Sequence, residues 1–181
     1  MKTELQNSLE LTKLCELIAE MSVAMLTLDL GNGLVSHPMT PLEMDSEGAI
    51  WFFTDLRTGK VGHLQMANLS FCDQSQGKYV SISGNGEIHK DREHIRRLWT
   101  PFAKPWFPDG PESSNLVLLK FVPYLAEYWD APHSKMVRMF AMAASVVAGK
   151  PVGLGEHGTL SDISKSSQST NSSSMNFSRN I

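Results

Sequence analysis

The chain has 181 residues, 41% hydrophobic and 19% charged, with 16 basic against 19 acidic residues and a formal net charge of −3. That length suits one domain, or one domain with a tail, and can bury a sizeable core. A weakly acidic chain with no basic run argues against nucleic acid and anionic membranes as partners, and the longest apolar stretch, 139–148, is too short to span a bilayer.

Leu11, Leu14, Cys15 and Ile18 fall at i, i+3, i+4 and i+7, which predicts a helix over 8–21, with Asn7 and Glu10 at capping-box spacing. Residues 23–28 read as a strand, and the turn signal at 29–33 returns it as a second strand over 34–42, where Pro38 and Pro41 mark an edge or a bulge. A third strand is expected at 50–54, then a short helix over 60–67 with Val61 and Leu64 facing inward. Strands follow at 69–73 and 79–89, the latter interrupted by a bulge at Gly84-Asn85-Gly86. Asp91 caps a helix carrying Ile95, Leu98 and Trp99, which Pro101 ends. Residues 100–115 form a loop dense in proline and aromatics, of a length that usually carries function. Two more strands, 116–122 and 126–129, precede an amphipathic helix over 136–148 that Gly149 and Pro151 stop. Nine of the last 21 residues are serine, so a domain over 1–150 is expected to be followed by a disordered tail over 151–181. Many short antiparallel strands with a few helices point to a mainly β, α+β protein built on a closed or partly closed barrel.

The segment from Trp51 to Lys60 carries the strongest chemical signal. An aromatic strand hands over hydroxyls and a lysine to an expected helix start, which is a seat for a phosphate: free N–H groups and the helix dipole favour an anion there. Thr54 and Thr58 add donors and Lys60 adds a full charge, while the plainer alternative is that Thr58 caps a helix. The six histidines show no metal-ligand spacing, and His89 and His94 read as surface residues. Glu127 and Asp130 read as structural. Of the four tryptophans, Trp106 and Trp129 stand beside proline or acidic residues, where an indole can pack on a planar ligand. Cys15 and Cys72 are far apart, which allows one isolated disulfide but fits a reducing cytoplasm better, and the acidic N-terminus is not that of a signal peptide.

Ser36-His37-Pro38-Met39, the stretch from Leu42 through Glu43-Met44-Asp45, Trp51 to Thr54, Thr58-x-Lys60, Tyr79 to Gly84, Leu98-Trp99-x-Pro101, Lys104-x-Trp106-Phe107-Pro108, Leu116 to Leu119 and Ala126 to Asp130, in that order, resemble the general stress protein branch of the pyridoxamine 5′-phosphate oxidase-like, FMN-binding split β-barrels. The resemblance runs from about residue 11 to 149. It implies an antiparallel, Greek-key split barrel forming homodimers, with FMN across the dimer interface. Lys60 and Thr58 would hold the flavin phosphate, with Gly59 allowing close backbone approach and the Thr54 hydroxyl and Phe53 backbone alongside. His37, Pro38 and Met39 would line the isoalloxazine and ribityl edge, Tyr79 would approach from the next strand, and Trp129 would come from the partner subunit. Trp106 and Phe107 are the substrate-side candidates.

Three departures qualify the resemblance. His37 stands where the family commonly has arginine, and Gly59 replaces a basic residue of the oxidases proper. Met136-Val137-Arg138 stands where the oxidases carry the Arg-x-His that grips the vitamin phosphate, so pyridoxamine phosphate oxidase activity is not expected. Two functions remain open: an FMN-dependent oxidoreductase acting on an unidentified small substrate, or a flavin-binding stress protein without turnover, serving as buffer, sensor or interaction dimer. Haem or a deazaflavin in the same pocket is a third alternative.

Overall fold

A computed structural model describes residues 1–59, 61–130, 142, 144–150, 153, 155–161 and 163. The elements are β1 (Lys2–Thr3), α1 (Leu9–Ile18), β2 (Ala24–Asp29), β3 (Leu34–Met39), β4 (Glu43–Met44), β5 (Ile50–Asp55), β6 (Ala67–Asp73), β7 (Lys78–His89), α2 (Arg92–Leu98), β8 (Leu116–Asp130) and β9 (Glu156–Ser161). They form a nine-stranded sheet in the order β1-β4-β5-β8-β7-β6-β2-β3, with β9 on β8. Every pairing is antiparallel except β1 with β4.

The sheet curls but does not close. His37 of β3 and Thr54 of β5 line one small cavity with Leu26, Leu64 and Ile88, yet no ladder joins β3 to β5 among the described residues. That unpaired seam makes the barrel a split one. The expectation for Pro38 holds: β3 bonds to β2 alone, and a proline is tolerated on such an edge because no ladder N–H is lost.

Burial follows the period of each element. α1 buries Leu11, Leu14, Leu17 and Ile18 against the barrel core of Leu26, Leu28, Phe52, Leu69, Phe71, Ile82 and Phe121. Its N-cap is Ser8, whose hydroxyl accepts from Leu11 N at 3.1 Å, one residue beyond the Asn7 expected. β5 is buried on both faces: Ile50 and Phe52 join the barrel core, while Trp51 and Phe53 join Ile95 and Leu98 of α2 in a second cluster. This double burial is why the strand reads as an unbroken apolar run rather than an alternating one.

The two strands expected over 116–129 are one continuous strand, β8, paired along its length with β7. The register slips between Ser83 and Gly84, so Tyr124 is the extra residue of a bulge. Gly84 is required there, since a Cβ would lie 2.5 Å from both Phe121 Cζ and Val122 O.

Residues 151–181 are not wholly structureless. Residues 156–161 pair with 125–130 of β8, Gly158 lies flat against the Tyr128 ring, and Leu160 packs on the core. Serine content hid a short period-2 segment just ahead of the serine run. Of the helix expected over 136–148, residues 144–148 are helical and 136–141 and 143 lie outside the described residues, as do 164–181. Among the described residues no helix is long and apolar enough to cross a membrane.

Candidate functional site

A cavity of about 280 Å³ opens beside the seam. One wall is the end of β3 and the segment after it, with Pro38, Met39, Thr40 and Leu42; Phe53 of β5 lies between. The other wall is the aromatic loop, with Thr100, Phe102, Ala103, Trp106 and Phe107. Five of the residues singled out in the sequence (Pro38, Met39, Phe53, Trp106 and Phe107) therefore meet at one place. Thr40, Leu42, Thr100, Phe102 and Ala103 were missed individually; the density of aromatics and proline marked the loop but not its inward residues.

The loop is held rather than free. A 3-10 turn at Pro101–Ala103 is followed by bonds from Trp106 N and Phe107 N to Ala103 O, at 3.1 and 3.0 Å. The Arg92 guanidinium donates to three loop carbonyls, Pro111, Ser113 and Leu116, at 3.3, 2.8 and 2.7 Å. Arg96 makes a two-point pair with Glu112 at 2.7 and 2.8 Å. Phe107 meets Phe53 edge-on, with ring centroids 5.9 Å apart, and Trp99 packs on Phe53 at 5.7 Å. Phe102 and Trp106 remain 86% and 74% exposed.

Where β5 ends, the expected α-helix over 60–67 does not form. Two 3-10 turns, Leu56–Thr58 and Val61–His63, lead directly into β6, so no α-helix N-terminus faces this point. Leu64 is buried as expected. Asp55 caps the first turn, accepting from Arg57 N at 2.8 Å, and its carboxylate pairs with the Arg57 guanidinium at 2.6 Å. The Arg57 hydrogen bond holds the Asp55 carboxyl below the usual range against the opposing effect of burial. Thr58 is not an N-cap: it ends the turn, and its hydroxyl donates to Asp55 O at 2.9 Å. Gly59 follows at φ 67°, with nothing within 4 Å of where a Cβ would be, so its backbone is open to approach. Lys60 lies outside the described residues.

Tyr79 and Trp129 are brought together, but elsewhere. They face each other in the β7–β8 register, and Trp129 stacks on His157 of β9 at 4.9 Å. Thr54 pairs with Val117, at the opposite end of β8 from Trp129. Neither residue lines the cavity of its own chain.

Behind the cavity, α2 is tied to β4. Glu43, 3% exposed, accepts two bonds from Arg97, both 2.8 Å. His94 Nε2 is 3.2 Å from the same carboxylate and 2.8 Å from Arg97 Nη2; a guanidinium only donates, so one ring nitrogen serves one of these contacts at a time. His94 also packs on Trp51 at 4.5 Å, so it is a half-buried part of the fold rather than the surface residue expected. No group of acidic, histidine or cysteine side chains among the described residues could hold a metal.

A family model described as pyridoxamine 5′-phosphate oxidase like matches residues 10–152. Protein bli-3 of Neurospora crassa is 29% identical over 140 residues, covering 70% of this chain and 67% of that protein. A crystal structure described as a putative general stress protein 26 from Jannaschia sp. CCS1 superposes with a TM-score of 0.65 at 27% identity, over 81% of this chain and 94% of that one. A general stress FMN/FAD binding protein from Xanthomonas citri superposes with a TM-score of 0.59 at 29% identity, over 67% of this chain and 89% of that one.

Proposed function

Since the chain belongs to the pyridoxamine 5′-phosphate oxidase-like family, we propose that it is a flavoprotein that holds FMN at the seam between β3 and β5 and uses it to oxidise or reduce a small substrate. The observation that carries this reading is the cavity that joins Pro38 and Met39 to Phe53 of β5, the strand that leads into the open turn at Thr58 and Gly59. The flavoprotein named from Xanthomonas citri supports the same reading.

The residues fit the group. Apolar side chains suit a planar ring system, and the glycine backbone leaves room for a phosphate beside Lys60. His37 and Thr54 line a separate small pocket with barrel-core residues; His37 would meet the ribityl edge and the Thr54 hydroxyl the phosphate. When bound, FMN supplies the electron chemistry. The chain's own residues bind it, orient it and keep water from the ring.

The reading includes a homodimer. The outer face of β2, β6 and β7 presents Thr27, Asn68, Ser70 and Ser81, with bonds of 2.9 Å linking Asn68 to Ser70 and to Ser81. Such a polar face, with Glu127 opposite Ser81 and a rim of exposed Tyr79 and Trp129, would receive a second copy of the chain. Tyr79 and Trp129 would then reach the cavity of the partner rather than their own. Cys15 on α1 and Cys72 on β6 suit a reducing compartment such as the cytoplasm.

One observation favours flavin binding without turnover: Met136-Val137-Arg138 stands in place of the Arg-x-His that grips the vitamin phosphate in the oxidases. Pure protein is expected to be yellow, to bleach with NAD(P)H and to consume it steadily with an added acceptor. Yellow protein that never turns over would leave the binding reading alone standing. Colourless protein that leaves added FMN fluorescence unquenched would overturn both.

A further inference from the structure

We propose that Phe102, Trp106 and Phe107 form a subsite for an uncharged, planar aromatic molecule, bound alongside the flavin. Calling that molecule the substrate rests on the flavin reading; its binding does not.

Charge is the first argument. No lining residue of the cavity is ionisable; its side-chain polar groups are the hydroxyls of Thr40 and Thr100 and the indole N–H of Trp106. Lys104, the cation of the loop, is not among the lining residues. A phosphate or carboxylate placed here would lose hydration with no cation to replace it, whereas a neutral ring loses little.

Shape and rigidity are the second. Phe102 and Trp106 are large rings left 86% and 74% exposed at the cavity, offering faces and edges for offset stacking. They stand on a segment fixed by the turn at Pro101–Ala103 and by the bonds of Trp106 N and Phe107 N to Ala103 O, so a ligand meets a wall that needs little ordering. Long exposed aromatics on a floppy loop would collapse onto the nearest apolar surface; here the backbone bonds hold them apart.

The test is calorimetric titration of the FMN-loaded protein with 2-naphthol and, separately, 2-naphthyl phosphate. The neutral compound is expected to bind about tenfold or more tightly than the ester, and Trp106→Ala to weaken it by about tenfold. Trp106 is largely exposed, so the variant folds; Phe102→Ala is the second variant, with the same expectation. Equal or tighter binding of the ester, no binding of 2-naphthol, or no effect of either substitution would overturn the proposal. Displacement of 2-naphthol by FMN would also overturn it, giving the flavin ring the Phe102 and Trp106 side of the cavity as well as the Pro38 and Phe53 side and leaving the flavin reading intact. Loss of a dimer in the variants would reassign the aromatics to a subunit contact. Binding of 2-naphthol by protein that takes no FMN would sustain the subsite and defeat the flavin reading instead.

Discussion

Glu43 shows how one buried charge is kept. Burial alone would push its carboxyl pKa up, but the hydrogen bonds from Arg97 and then His94 outweigh it and hold the pKa below the ordinary value of 4.5. The folded state therefore binds its proton less readily than the unfolded one. The stability Glu43 contributes is fully present above about pH 4.5 and is lost as pH falls through the lower folded-state value. Acid-unfolding curves of Glu43→Gln are expected to be flatter than wild type below that pH; identical curves would contradict the assignment. The two partners are not equivalent. The Arg97 side chain is 53% exposed and Glu43's 4%, so removing the arginine strands a charge that water cannot reach. Arg97→Met is expected to cost about 3 kcal/mol in urea unfolding, more than Glu43→Gln. Gly84 sits under a different constraint: Gly84→Ala drives a methyl into Phe121 and the Val122 carbonyl and is expected to cost about 2–3 kcal/mol.

At the scale of elements, α2 is a clamp. It is seven residues long, yet Arg92 and Arg96 hold the aromatic loop and Arg97 holds β4. Arg92→Met is expected to speed amide exchange across 111–116 without changing exchange in the barrel strands; unchanged exchange in the loop would show that Arg92 is dispensable there. The strands were legible from alternation, as in Val80 and Ile82 against Ser81 and Ser83; the bulge expected at Gly84-Asn85-Gly86 falls on the facing strand, where Tyr124 is the extra residue opposite the step from Ser83 to Gly84. The helix over 60–67 was not, because Val61 and Leu64 at helical spacing look the same in a pair of 3-10 turns, and the left-handed Gly59 separates those turns. The cavity was half legible. Recognisable phrases flagged Pro38, Met39, Phe53, Trp106 and Phe107, but only folding shows that the end of β3 and the loop after α2 face each other. Arg92 gave no sequence signal, since a guanidinium bound to carbonyls leaves no paired acidic residue to notice.

For the whole molecule, the outer half of β8 depends on β9. Without residues 156–163, Tyr128 would lose the strand that covers it and Ile163 would leave the core. A chain ending at residue 155 is expected to unfold at lower urea and to bind apolar dyes, since it exposes a strand edge. The same molecule-wide geometry separates the cavity near Phe53 from Tyr79 and Trp129, so in the proposed dimer these two residues would serve the partner's cavity and not their own. The central claim, that the seam between β3 and β5 seats a flavin, is tested most directly by a crystal structure of the protein grown with FMN. Density for the ring system between Pro38, Met39 and Phe53, with the phosphate at the turn of Thr58 and Gly59, is the expected result. Flavin bound elsewhere, or packed side chains filling that seam in crystals saturated with FMN, would contradict it.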